Sequence, residues 1–218
     1  MDASNGRGPA GDARCCHRHG RTTDDERDLV HDATLARRRL LALGGGLAVA
    51  SLAGCTGGVT DGAAPDPVAI EEGVQCDNCG MVIAMHPGPG GEIFYREQSP
   101  EGHENPARFD SLKSCFFPYR LEHERLDWEI TAAYVTDYSS VDYELGEEGG
   151  TTYISRHVGA DAFSPASEVV YVVGSEVEGA MGPDFMPFSD RDEAESFAGD
   201  HGGEIVEYDE IDEGLIGR

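Results

Sequence analysis

Apolar positions fall in short bursts between turn residues, and the spacing inside each burst decides its element. "GMVIAM" (80–85) is a short apolar run and "HPGPGG" (86–91) is turn chemistry. "EIFYRE" (92–97) alternates and is rich in β-formers, as a half-buried strand does. "SPEGHENPA" (99–107) reads as a loop. "FDSLKSCFFPYRLEH" (109–123) has helical periodicity, with Asp110 placed to cap it and Pro118 to end or kink it. "WEITAAYVTDY" (128–138) returns to strand spacing. The order is β-β-α-β.

The second half repeats the scheme. "TYISRHV" (152–158) and "EVVYVVGSEV" (168–177) predict strands, "FSDRDEAESFAGDHGG" (188–203) a helix capped by Ser189 or Asp190 and stopped by Gly202, and "EIVEYDEI" (204–211) a last strand. Phe109-Asp110-Ser111 and Phe188-Ser189-Asp190 stand at matching places before the two helices. The expected class is α+β, with two similar β-β-α-β units, about 76–138 and 151–211, packed so that each sheet buries one face. Residues 213–218 are left as a C-terminal tail.

Upstream, the pattern is an address and not a fold. "ARRRLLALGGGLAVASLAGC" (36–55) runs from an arginine cluster through a short apolar stretch to small residues and Cys55. The stretch is too short and glycine-rich for a membrane span. Paired arginines before Leu-Leu resemble a twin-arginine export signal, and Leu-Ala-Gly-Cys resembles a lipobox that would lipidate Cys55. "TGGVTDGAAPDPVAI" (56–70) reads as a flexible tether.

Charge sharpens this picture. The chain has 42 acids against 16 bases, and seven of the acids and eight of the bases lie in residues 1–55. The remainder keeps a single lysine, Lys113. Such a surface repels nucleic acid and anionic headgroups, which removes them as partners. It suits a protein that stays hydrated in concentrated salt, as in a halophile.

The chemistry sits in "CDNCGM" (76–81). Downstream of Cys55 the thiols are Cys76, Cys79 and Cys115, and the methionines are Met81, Met85, Met181 and Met186. A structural zinc site usually draws on two Cys-x-x-Cys knuckles, and only one is present. A thioredoxin-like site needs a helix immediately after the pair, and none is expected, although a plain Cys76–Cys79 disulfide or an exchange activity stays open. The third reading is a soft metal such as Cu(I), which thiolate and thioether sulfur favour. Cys79 and Met81, two apart, would share a strand face, and "MGPDFMPFSD" (181–190) offers a loop methionine, Met181. Cys115, beside Phe116 and Phe117, is expected in the core, while Met85 and Met186 divide between packing and support of a metal. No nucleophile–base pair or phosphate loop stands out, so the expectation is a binding protein and not an enzyme.

"CDNCGMVIAMHPGPGGEIFY", "FDSLKSCF" and "MGPDFMPFSDRDEAESFAGDHGGEIVEYDEI" together resemble the NosL family of exported copper-binding lipoproteins that assist assembly of nitrous oxide reductase. The resemblance spans about residues 71–212. It implies two β-β-α-β units, a mononuclear Cu(I) site, membrane attachment through Cys55, and delivery to a multicopper reductase through a membrane transporter complex. Carried over, the ligands fall on Cys79, Met81 and Met181, with Cys76 matching a less essential cysteine. A histidine or water completes the site, and His86 is nearest in sequence. The acidic stretch 137–150 departs from compact versions of the family, and relatives devoted to general copper handling leave the client open.

Overall fold

A computed structural model describes residues 63–218. The arginine cluster, the lipobox and Cys55 lie outside the described residues. Eleven strands run in chain order: β1 (Gly91–Tyr95), β2 (Ala107–Phe109), β3 (Ile130–Thr136), β4 (Leu145–Glu148), β5 (Thr151–Ile154), β6 (Phe163–Pro165), β7 (Val170–Val173), β8 (Val177–Gly179), β9 (Gly182–Pro183), β10 (Met186–Phe188) and β11 (Glu204–Glu207). The helices are α1 (Phe117–Glu124), α2 (Arg191–His201) and α3 (Glu213–Ile216).

Two β-β-α-β units share one topology. In the first, antiparallel strands are ordered β2-β1-β3, with β6 added at the edge, and the helical segment lies between β2 and β3. In the second the order is β10-β7-β11, with α2 between β10 and β11. The strand frame differs from the one the apolar runs suggest. "GMVIAM" forms a single bridge, Gln75 to Val82, and a 3-10 turn over Ile83–Met85, because Gly80 at φ 78° breaks the extension. The second strand of each unit is instead a three-residue piece, β2 or β10, ending on Phe109 or Phe188. Gly174 at φ 76° splits the long run at 168–177 into β7 and β8.

A third sheet, β4-β5-β8-β9, takes up the acidic stretch: the β4–β5 hairpin pairs in parallel through β5 with β8. Strands β8 and β9 form a tight hairpin with Gly179 opposite Gly182 and Ala180-Met181 at its tip.

The main core lies where the units meet. Phe116 and Phe117 stack edge-on at 5.0 Å, and Phe117 reaches Tyr171 at 5.4 Å and Phe185 at 5.8 Å. A smaller core of Val172, Met186, Phe188, Ala194 and Phe197 lies under α2. The tether is shorter than its composition suggests. Tyr134 Oη donates to the Pro65 carbonyl at 2.6 Å, Val68 N–H donates to Glu92 at 3.0 Å, and Ile70 N–H donates to the Val158 carbonyl at 2.9 Å with its side chain buried. At the other end the expected tail is helix α3, anchored by buried Leu215 and by Lys113 Nζ donating to the Arg218 carbonyl at 2.7 Å.

Candidate metal centre

Three segments far apart in sequence converge on one point. The first is the loop 76–81. Gly80 N–H donates to the Cys76 carbonyl at 2.9 Å, and Cys76 N–H donates to the Met81 carbonyl at 2.8 Å, closing the loop into a knuckle. Cys79 and Met81 are therefore placed by a turn and not by strand alternation. Inside the knuckle, the backbone amides of Asn78, Cys79 and Asp110 favour the Cys76 thiolate, and that of Met81 favours the Cys79 thiolate.

The second segment follows β2. Ser111, and not Asp110, caps the helical stretch, its Oγ accepting from Ser114 N–H at 3.0 Å. The turn Leu112–Phe116 is a π-helix, a wide turn often found at functional sites. Pro118 sits in the first turn of α1, where the π turn passes into the α-helix, so it starts the regular helix instead of ending it. Having no N–H, Pro118 makes no bond to the Ser114 carbonyl one α turn back. That carbonyl accepts from Asn78 Nδ2 at 3.2 Å, which ties the knuckle to the π turn. With capping left to Ser111, the buried Asp110 carboxylate is free to face the knuckle, and both its oxygens lie 3.4 Å from Cys79 Sγ.

The third segment is the β8–β9 hairpin and the residues after it. Buried Asp184 Oδ1 accepts from the N–H groups of Leu112 at 3.1 Å and Lys113 at 2.8 Å, so this loop itself holds the start of the π turn. The fit has no spare room at two glycines. A Cβ on Gly88 would lie 2.5 Å from the Gly179 Cα, and one on Gly179 would lie 2.8 Å from Asp184 Oδ2. Arg156 adds a cross-brace, donating to the carbonyls of His86 and Pro87 at 2.9 Å each and of Asp110 at 2.6 Å.

The result is a sulfur-rich cluster. Ligand atoms of Cys76, Cys79, Cys115 and Asp110 all lie within 4.8 Å of one another. Met181 joins on the open side, its Sδ 3.6 Å from Cys115 Sγ. Cys76 and Cys115 are buried, while Cys79 and Met181 are exposed. All three cysteines are free thiols. Cys115 donates its S–H to the Met181 thioether, and its thiol beside Cys76, with the surrounding amides, draws the Cys76 thiol down to about 7 against the effect of burial. The neighbouring Cys76 and burial hold the Cys115 thiol well up. Desolvation, with Cys76 and Asp110 adding repulsion, pushes Cys79 up to about 11. A cation entering here therefore displaces protons.

The other candidates divide. Met81 is half-buried next to Cys79. His86 is held through its carbonyl by Arg156 and does not join the donor group. Met85 is exposed on the 3-10 turn. Met186, counted among the sulfur donors from sequence, is wholly buried in the smaller core, where β10 pairs it with Val172, so its thioether packs and does not line the cluster. Conversely, Cys115 and Asp110 belong to the cluster although neither reads as a ligand in the sequence. Asp110 stands just before the cap Ser111 and Cys115 inside the π turn, a juxtaposition that helical spacing does not announce, and the flanking phenylalanines make Cys115 look like core.

Two β-β-α-β units carrying thiols, a carboxylate and a thioether on converging loops define a metal-binding protein with a soft, sulfur-dominated donor set. The chain belongs to the NosL family, whose sequence model matches residues 67–216. It is 28% identical over 152 residues to the copper-binding lipoprotein NosL of Stutzerimonas stutzeri, across 69% of this chain and 68% of that protein. It is 28% identical over 170 residues to the copper-binding lipoprotein NosL of Achromobacter cycloclastes, across 78% of each chain. Among solved structures it resembles the copper chaperone NosL from Shewanella denitrificans, with 29% identity, a TM-score of 0.51, and coverage of 67% of this chain and 95% of that one.

Proposed function

We propose that this chain is an exported, lipid-anchored copper carrier that binds one Cu(I) through Cys79, Met81 and Met181. It passes the ion to a multicopper reductase, nitrous oxide reductase being the client that family membership suggests, in concert with a membrane transporter complex. The observation that carries this reading is the meeting of the Met181 thioether with the cysteine cluster, 3.6 Å from a thiol 66 residues away in sequence. Nothing in core packing requires an exposed methionine at a hairpin tip, whereas soft sulfur donors on two loops suit Cu(I). The relatives named as copper-binding lipoproteins and the neighbour named as a copper chaperone point the same way.

The exposure of Cys79 and Met181 suits a carrier, since a client's ligands can attack the ion before the last donor leaves. Anchoring rests on Cys55, and among the described residues no helix is long and apolar enough to cross a membrane. With residues 65–70 held on the domain, residues 56–64 separate it from the anchor, at most roughly 30 Å of chain. Delivery is thus confined to the membrane face.

The test is an anaerobic Cu(I) titration of the full chain against a competing chelator. One tight equivalent is expected, with tight binding abolished in Cys79→Ser while the far-UV circular dichroism is unchanged. Stoichiometric tight binding by Cys79→Ser overturns the assignment.

A further inference from the structure

The loops that carry Cys79 and Met181 are both fastened to the π turn. Asn78, next to Cys79, donates from Nδ2 to the Ser114 carbonyl at 3.2 Å. On the other side, Cys115 Sγ lies 3.6 Å from Met181 Sδ. Asp184, three residues beyond Met181, accepts from Leu112 N–H at 3.1 Å and Lys113 N–H at 2.8 Å. The four residues that make these contacts, 112 to 115, are consecutive. The shape of one turn therefore sets how far apart the two loops stand.

That shape is unusual, and the sequence holds a cause for it. The hydrogen bonds of the turn run five residues back, from Phe116 N–H to the Ser111 carbonyl at 3.0 Å and from Phe117 N–H to the Leu112 carbonyl. The next residue is Pro118. A regular α-helix begun at the Ser111 cap would carry Pro118 in its interior. There the ring would collide with the carbonyl four residues back, that of Ser114, and no N–H would be present to bond it. Widening the turn moves this carbonyl out of the way of the ring, and in its new position it meets Asn78. A proline near a helix start is common, and as a mere starter it asks nothing of the residues before it. Here the residues before it hold both loops. Core packing does not dictate the arrangement, since Pro118 is half-buried and Asn78 exposed.

We propose that Pro118 is a positioning residue of the copper site. By forbidding α bonding at the Ser114 carbonyl it keeps the turn wide, leaves that carbonyl to Asn78, and so sets Cys79 against Met181. It acts through the turn and not through contact with the ion. The effect on copper rests on the proposed Cu(I) reading, whereas the control of the turn does not.

The test is Pro118→Ala in the full chain, reduced, anaerobic and at constant high salt, followed by three measurements. In hydrogen exchange, the new amide at position 118 is expected to be protected, bonded to the Ser114 carbonyl. In competition with a chelator, Cu(I) affinity is expected to fall about 10- to 100-fold, the range for loss of a residue that orients ligands. In chemical denaturation the midpoint is expected to stay near that of the wild type, because the new helical bond stands in for the one Asn78 loses. A merely structural role would lower affinity and midpoint together. Asn78→Ala is expected to weaken Cu(I) by a similar factor, and the double variant to be no weaker than Asn78→Ala alone, because both changes act through one carbonyl. An unprotected amide at position 118 overturns the control of the turn. A protected amide with Cu(I) affinity within about threefold of the wild type, or affinity that falls only in step with the midpoint, overturns the positioning role. Should Pro118→Ala fail to fold, full Cu(I) affinity in Asn78→Ala, on the exposed loop, overturns it as well. A wild type without tight Cu(I) defeats the copper reading, and the amide at position 118 then still decides whether the proline sets the turn.

Discussion

Replacing Asp184 by alanine separates the scaffold of the metal centre from its ligands. Asp184 is three residues beyond Met181, and its Oδ1 accepts from Leu112 N–H, Lys113 N–H and its neighbour Phe185 N–H at 2.8–3.1 Å. Alanine leaves the two π-turn donors buried without partners, at roughly 1–3 kcal/mol each. Against this stands relief of a buried charge. Burial pushes the Asp184 carboxyl from 3.8 up to about 6, worth on the order of 3 kcal/mol when ionised. The two terms leave between a gain of about 1 and a loss of about 3 kcal/mol near neutral pH, read by chemical denaturation at constant high salt. Asparagine is the informative companion. It keeps a carbonyl oxygen for the same N–H groups and drops the charge, so Asp184→Asn should match or exceed the wild type in stability. For copper, alanine frees the hairpin from the π turn, and the separation of Met181 from Cys115 is no longer fixed. Cu(I) affinity should fall about 10- to 100-fold, the range for loss of a residue that orients ligands, while asparagine stays within about threefold. An alanine variant that loses stability yet holds Cu(I) as tightly as the wild type refutes the claim that Asp184 sets the position of Met181.

Other consequences are equally open to measurement. Glu92 on β1 is wholly buried, faces Arg108 on β2 and Tyr134 on β3, and has one oxygen without a partner. Burial pushes its carboxyl from 4.5 up to about 7, so its contribution to stability is complete below about 4.5 and declines by on the order of 3 kcal/mol as pH rises to about 7. Glu92→Gln should flatten that part of the pH–stability profile and be the more stable protein at pH ~8. Gly88 sits at φ 96° with a Cβ position 2.5 Å from the Gly179 Cα, so Gly88→Ala should cost roughly 2–4 kcal/mol in thermal unfolding and weaken Cu(I) binding by parting the two loops. With a formal charge of −26, the melting temperature should climb as salt rises from ~0.1 M to ~2 M, and a flat response would contradict the reading of the acidic surface as adaptation to salt.

Much of the architecture was legible because helices announce themselves. Asp190 caps α2 as expected, accepting from Asp192 and Glu193 N–H, and Gly202 ends it at φ 74°. The paired Phe109 and Phe188 motifs do mark the strand-to-helix junction of each unit. The strands themselves were misframed. Ala107–Phe109 and Met186–Phe188 have three residues each, too few for alternation to show, so longer apolar runs took their places. At the centre, Cys79 and Met181 could be named from residue type and neighbourhood. Cys115 could not, because helical periodicity assumes 3.6 residues per turn and the chain there makes a π turn, and Asp110 could not, because it reads as the helix cap that Ser111 in fact supplies. The scaffold of Asp184, Arg156 and Gly88 was invisible for another reason: each acts through a backbone group or a close approach more than 45 residues away in sequence.

The central claim is that sulfur from the knuckle and from the β8–β9 hairpin binds the same copper ion. X-ray absorption at the copper K-edge, on full chain loaded with one equivalent of Cu(I), measures this directly. A first shell made of sulfur alone, losing one scatterer in Met181→Leu and collapsing in Cys79→Ser, is the expected result. A shell dominated by nitrogen or oxygen, or one that Met181→Leu leaves unchanged, would show that the two loops meet without sharing an ion.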